Sequence, residues 1–139
     1  MAYCDINDLV KVLPANRLIE LSDDENTGAW DETVLQGAID RAAEEMDAYL
    51  GVAARLPLSR IPDLLTGLNA DLAVCRLYRR VSTDLPDAWK QACRNARQIL
   101  ADMAAGRRWI DLGQDDTAPG VFETGVRPKE FTTQKLNRF

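Results

Sequence analysis

The chain has 139 residues, of which 46% are hydrophobic and 28% charged, the size and mixture of one ordinary globular domain. No apolar run approaches the roughly 18 residues of a membrane helix, and residues 1–8 lack the basic-then-apolar order of a secretory signal. Histidine is absent, so Ser–His, Cys–His and histidine-based metal sites are excluded within one chain.

The net charge of −5 is unevenly spread. Residues 1–50 hold 12 acids against 3 bases, residues 51–110 hold 10 bases against 5 acids, and residues 111–139 hold 4 bases against 5 acids. Local charges of −9, +5 and −1 follow. Such asymmetry can steer unlike faces of identical copies together, or it can be a solvated acidic helix beside a solvated basic one.

In chain order, Asp5 to Asp8 offers side-chain caps for a short first helix with Ile6, Leu9, Val10 and Leu13 at helical spacing, ended by Pro14. A second short turn, Arg17 to Leu21, takes Asn16 as its cap. An acidic loop from Ser22 to Ala29 turns at Gly28. Asp31 then caps the most clearly amphipathic helix: Val34, Leu35, Ala38, Ile39, Ala42, Ala43, Met46, Tyr49 and Leu50 recur every three or four residues, and Gly51 is expected to stop it. Trp30, ahead of the cap, is placed to staple onto Leu35.

A linker with Pro57 leads to Pro62, expected in the first turn of the next helix, which reaches about Val81. Leu65, Leu68, Leu72, Cys75 and Tyr78 or Arg79 line one side, and Leu64, Ala73 and Leu77 widen the stripe, so this helix is expected at the centre. Thr83 or Asp84 is expected to cap the last long helix, with Pro86 in its first turn. Its buried face comprises Trp89, Ala92, Cys93, Ala96, Ile99, Leu100 and Met103, and Gly106 closes it.

Residues 107–139 lose the helical period, yet they contain all three phenylalanines. An extended arm with spaced apolar groups, Phe122, Phe131, Leu136 and Phe139 among them, is expected to dock, either on its own core or on a neighbouring chain. The expected organisation is a helical domain over 1–106 and an arm over 107–139.

Few constellations point to chemistry. Cys4, Cys75 and Cys93 are odd in number and widely spaced, which argues against a disulfide framework. Core thiols in a reducing, cytosolic compartment are the expectation. Asp23, Glu25, Thr27 and Gly28 partly match a calcium loop, but the twelfth position, where a bidentate acid belongs, is Val34; a solvated turn is expected. Asp40, Glu44 and Asp47 share a helix face with nothing converging on them, and Arg41 is spaced to pair with Glu45 along the helix. Lys90, Arg94 and Arg97 form a basic row, supplemented by Arg76, Arg79 and Arg80, that suits either subunit pairing or phosphates of DNA. No Gly-rich phosphate loop, G-x-S-x-G or CxxC occurs, so no catalytic residue, metal ligand or cofactor is assigned.

The order of several segments resembles a known family. These are Tyr3 with Ile6-Asn7-Asp8-Leu9, then Leu18 to Asp23, then Glu44-Glu45-Met46-Asp47-Ala48-Tyr49-Leu50-Gly51. The link Leu56-Pro57-Leu58, Ile61 to Leu65, Asp71-Leu72-Ala73, Arg76-Leu77-Tyr78, Ile99-Leu100, Ala105-Gly106 and the closing Phe131-Thr132, Leu136 and Phe139 continue the match. Together they resemble the helical head–tail connector (adaptor, neck) proteins of Mu-like phages and prophages.

The resemblance implies a non-enzymatic virion structural protein that joins head to tail. It implies a homo-oligomeric ring, a dodecamer in the virion, beneath the portal protein and in contact with tail-completion proteins. It further implies non-specific contact with packaged DNA, no membrane, assembly in the bacterial host cytoplasm and a final place in the virion neck. The expected fold is all-α: a small bundle of three longer helices, one or two short N-terminal helices and an irregular C-terminal arm. The alternative is a small helical DNA-binding or regulatory protein, which net acidity disfavours and which a steep salt dependence of DNA affinity would reveal.

Overall fold

A computed structural model describes residues 2–81 and 85–107. These residues form five helices and no strand: α1 (Ile6–Val12), α2 (Ala15–Ser22), α3 (Glu32–Ala53), α4 (Asp63–Val81) and α5 (Asp87–Ala104). The arm residues Phe122, Phe131, Leu136 and Phe139, and the caps expected at Thr83 or Asp84, lie outside the described residues.

Local sequence sets most helix ends. Asp5 and Asp8 form a reciprocal capping box: the Asp8 amide donates to Asp5 Oδ1 at 3.1 Å, and the Asp5 amide to Asp8 Oδ2 at 2.9 Å, so two orphan amides are satisfied at once. Leu13, which precedes Pro14, is extended as the proline ring requires, and α1 stops there. Pro14, not Asn16, is the N-cap of α2; its carbonyl accepts from the Arg17 and Leu18 amides. Proline makes no side-chain cap but holds the entering φ near its helical value.

The cap at Asp31 is as expected: its Oδ1 accepts from the Thr33 and Val34 amides at 2.9 and 3.3 Å. The Asp31 amide in turn donates to Ser22 Oγ, whose hydroxyl donates to the Leu18 carbonyl. Buried Ser22 thus ties the end of α2 to the start of α3.

Three further boundaries differ from expectation. Gly51 does not stop α3; the helix continues to Ala53, and Ala54 is its C-cap, because a single glycine lowers helix stability without breaking the hydrogen-bond ladder. Pro86 is the N-cap of α5 rather than a first-turn residue. Pro62 likewise sits at the lip of α4, its carbonyl accepting from the Leu65 and Thr66 amides. At the far end of α5, Gly106 adopts φ +78°. Its amide donates to Met103 and the Arg107 amide to Asp102, the paired closure in which glycine avoids a Cβ penalty.

α4 is central: it packs against α1, α2, α3 and α5, and its contact with α3 is the most extensive in the molecule. Leu65, Leu72, Ala73, Val74 and Leu77 are fully buried on it. Leu64, expected to widen the stripe, is at the surface, as are Val10 and Arg79. Alanines recur in the shared core, Ala38, Ala42 and Ala43 from α3 with Ala70 and Ala73 from α4; small side chains allow two helices to approach toward the short end of the usual 8–10 Å. Trp30 is partly buried against this core.

One polar residue lies at the centre. Asn69 is fully buried, accepting from the Tyr3 amide through Oδ1 at 2.7 Å and donating to the Ile39 carbonyl through Nδ2 at 3.1 Å. It joins the segment before α1, α3 and α4 at one point. Replacing it by leucine strands the Tyr3 amide and removes the extra donor from the Ile39 carbonyl, which stays in the α3 ladder, so Asn69→Leu is expected to destabilise the fold by about 1–3 kcal/mol despite its greater hydrophobicity. Urea unfolding measures this; an unchanged midpoint would show that Asn69 is dispensable to the junction.

The cysteines depart from expectation. Cys75 and Cys93 form a disulfide between α4 and α5, with Cα atoms 6.2 Å apart, inside the span such a bond requires. Each lies on the buried face of its helix, and packing those faces together makes them partners. The bond withdraws the cysteine-based reason for a reducing compartment. Cys4 remains free. Burial, then the charges of Asp8 and Asp5, pushes its thiol up to about 12, so at neutral pH it is protonated and a poor nucleophile.

Candidate functional site: two cationic grooves

The basic row does converge. Lys90, Arg94 and Arg97 line one surface groove of about 440 Å³, together with Leu85, Cys93 and Gln98. Their spacing on α5 puts them on one face, and they differ in freedom. Lys90 has Asp87 one turn before it, at 3.8 Å. Arg97 is fixed inward: its Nε donates to Glu45 Oε2 at 2.7 Å.

Glu45 is the hub of this region. Its carboxylate accepts from Arg97 of α5 and, at 3.1 Å, from Arg76 of α4, so one acid on α3 ties three helices. The expected pairing of Glu45 with Arg41 along α3 does not occur; the core-side arginines reach the carboxylate instead. Burial alone raises the Glu45 carboxyl, but the Arg97 hydrogen bond and charge, followed by those of Arg76, outweigh it and hold the group below the usual glutamate range. Arg76 Nε is buried without a partner.

A group with a depressed folded-state pKa contributes stability above its unfolded pKa and loses it as pH falls through the folded value. The contribution of Glu45 should therefore be complete above about pH 5 and fade on acidification below the ordinary glutamate range. Glu45→Gln should cost about 2 kcal/mol at neutral pH and flatten that part of the acid-unfolding profile. Denaturant titrations of both proteins from pH 7 to pH 3 test this; parallel profiles would show that Glu45 carries no such linkage.

A second groove, of about 550 Å³, lies between α3 and α4. Gly37 and Ala38 are among its α3 lining, and four arginines reach it: Arg41 from α3 and Arg76, Arg79 and Arg80 from α4. Arg80 donates to the Leu21 carbonyl at 2.9 Å and to the Asp24 carboxylate at 2.5 Å. The cluster on α4 was visible in the sequence; the addition of Arg41 was not, because it depends on which face of α3 meets α4.

The acidic loop spends its carboxylates internally. Asp23 accepts from the Thr27 amide and hydroxyl and from the Gly28 amide at 2.8–3.0 Å, and those bonds, the Thr27 amide foremost, keep its carboxyl below the normal aspartate range. Asp24 faces Arg80. On α3, Asp40 accepts from Gln36 at 3.0 Å, Glu44 is exposed, and Asp47 accepts the Tyr3 hydroxyl, so the three do not act together. Burial, then the Asp47 hydrogen bond and charge, pushes the Tyr3 phenol upward. Among the described residues no group of three Asp, Glu or Cys side chains is placed to hold a metal ion, and no helix is long and apolar enough to cross a membrane.

An all-helical body carrying cationic surface grooves is the class of protein that fold and site define. The family described as Bacteriophage Mu, Gp36 matches residues 3–126. The chain belongs to that family and is a Mu-like phage protein. Among curated proteins, none matches it significantly.

Proposed function

We propose that this chain is a head–tail connector, or head-completion, protein. Copies assemble as a ring beneath the portal protein, continue the DNA channel and meet tail-completion proteins in the virion neck, after assembly in the host cytoplasm. Its role is structural rather than catalytic. The observation that carries the reading is membership of a Mu phage family by a helical chain whose cations from α4 and α5 gather in surface grooves. Grooves of one sign favour contact with oppositely charged surface, and head-to-tail contacts between copies close into rings where the rotation permits. Lys90 and Arg94 supply positive charge for non-specific contact with DNA. Phe122, Phe131, Leu136 and Phe139 supply an arm for the adjacent subunit.

The test is sedimentation across a concentration series, with and without the portal protein, on the full chain and on a chain lacking residues 119–139. The full chain is expected to assemble, or to join the portal. The shortened chain is expected to keep its helical circular dichroism and lose association. A full chain that stays monomeric and ignores the portal would overturn the reading.

A further inference from the structure

α5 carries two cations that the rest of the described chain leaves open. Arg94 is exposed and has no hydrogen bond or ion pair among the described residues. Lys90 meets only Asp87, at 3.8 Å and with both groups in solvent, a pairing that contributes little. Arg97, the third cation of that groove, is taken by Glu45. Leu85 and Cys93 add an apolar strip to the same groove, so it suits a segment that mixes acids with apolar groups.

The end of α5 shows where such a segment comes from. The Gly106 amide donates to the Met103 carbonyl and the Arg107 amide to the Asp102 carbonyl, so Arg107 is turned back beside the last turn instead of continuing the axis. Its guanidinium donates to Asp102 Oδ1 at 2.9 and 3.1 Å, and Gln98 donates to the same oxygen at 2.9 Å. Asp102, Gln98, Arg94 and Lys90 follow one another at four-residue steps, so they form one row along the helix. The chain is therefore fastened at the head of the row whose far half carries the open cations.

The stretch that follows has the matching chemistry and length. Between Trp109 and Val126 stand Asp111, Asp115, Asp116 and Glu123 with no lysine or arginine, and Trp109, Ile110 and Leu112 flank the first acid. At about 1.5 Å per helical residue, Arg94 lies roughly 12 Å and Lys90 roughly 18 Å along the row from Asp102. Extended chain covers about 3.3 Å per residue, so Asp111 reaches roughly 13 Å beyond Arg107 and Asp115 roughly 26 Å. Both cations are within that reach, and Gly113 lets the span shorten between the two acids.

We propose that residues 109–116 lie back along α5 of their own molecule, with Asp111 against Arg94 and Asp115 or Asp116 against Lys90. A neighbouring copy is the poorer source, because a segment tethered at Arg107 is present at an effective concentration on the order of millimolar. The docked stretch covers the charge that Lys90 and Arg94 offer to DNA, so a polyanion gains these cations only by displacing it. Phe122 and the residues after it stay free for another subunit.

Carbodiimide joins an amine to a carboxylate in direct contact. It is applied to the full chain and to its Arg94→Lys variant, which sets an amine at the second position. Peptide mass spectrometry is expected to find residue 90 or 94 linked to Asp111, Asp115 or Asp116, beside the local Lys90–Asp87 link that serves as internal control. In a mixture of light and heavy-isotope chains, each such link should join peptides of one isotope. Asp111→Asn with Asp115→Asn and Asp116→Asn should also bind a short DNA duplex roughly fivefold more tightly than Glu25→Gln with Glu32→Gln and Glu44→Gln, the effect of freeing one exposed ion pair. Both variants lose the same charge, and circular dichroism checks their helices. The Lys90–Asp87 link without any to residues 111–116 would overturn the docking. Links between light and heavy chains would overturn the assignment to the same molecule and give the groove to a second copy. Equal DNA affinity of the two neutralised variants would show that Lys90 and Arg94 are already open in the parent, against the proposal. Neither measurement needs a ring, so both separate this contact from the connector role.

Discussion

Leu72→Ala is expected to lower the unfolding free energy by about 2–5 kcal/mol, a large share of the stability of a domain of this size. Leu72 is fully buried near the middle of α4, the helix that α1, α2, α3 and α5 all pack against. Truncation opens a cavity in the helix against which four others pack. The cavity left behind cannot be closed by moving one neighbour without disturbing the others, so the cost should fall in the upper part of that range. Leu72→Met, which nearly conserves volume, should cost less than about 1.5 kcal/mol. Chemical denaturation of the parent and both variants provides the comparison. If the alanine variant unfolds with the parent, α4 does not carry the core.

Reduction of the Cys75–Cys93 bond is expected to cost about 3 kcal/mol. The bond closes a loop across 18 positions of sequence, and a cross-link of that length removes close to this much conformational freedom from the unfolded chain. Because the effect acts on the unfolded state, the helices should persist after reduction while the denaturation midpoint falls. A variant with Cys75→Ala and Cys93→Ala should show the lower midpoint and no longer respond to reductant. A parent indifferent to reductant would show that the two thiols are not joined under the conditions used.

The sequence made periodic features legible and relational ones opaque. The stripes of α3, α4 and α5, the cap at Asp31, the closure at Gly106 and the centrality of α4 follow from residues close together in the chain, where spacing determines facing. Cys75 and Cys93 were readable as buried but not as bonded, because the bond depends on which face of α5 meets α4. Glu45 lies four residues beyond Arg41, a spacing that suggests an intrahelical pair. Arg76 and Arg97 come from 31 and 52 positions away and hold it instead. Asn69 interrupts an apolar stripe with no local sign that Tyr3 and Ile39 supply its partners. The basic row Lys90, Arg94 and Arg97 was recognisable as one face. That Arg97 turns inward, and that Arg41 joins Arg79 in another groove, depended on tertiary packing.

The alanines shared by α3 and α4 bear on how this sequence can drift over evolutionary time. A buried leucine has near neighbours in shape, methionine and isoleucine, that a population can sample at modest cost. Ala42 and Ala73 are fully buried and Ala43 almost so; a larger residue adds volume to a close-packed core, and glycine weakens the helix by about 1 kcal/mol. In a saturation library selected for folding, these three small positions should therefore show fewer permitted residues than the large leucines around them.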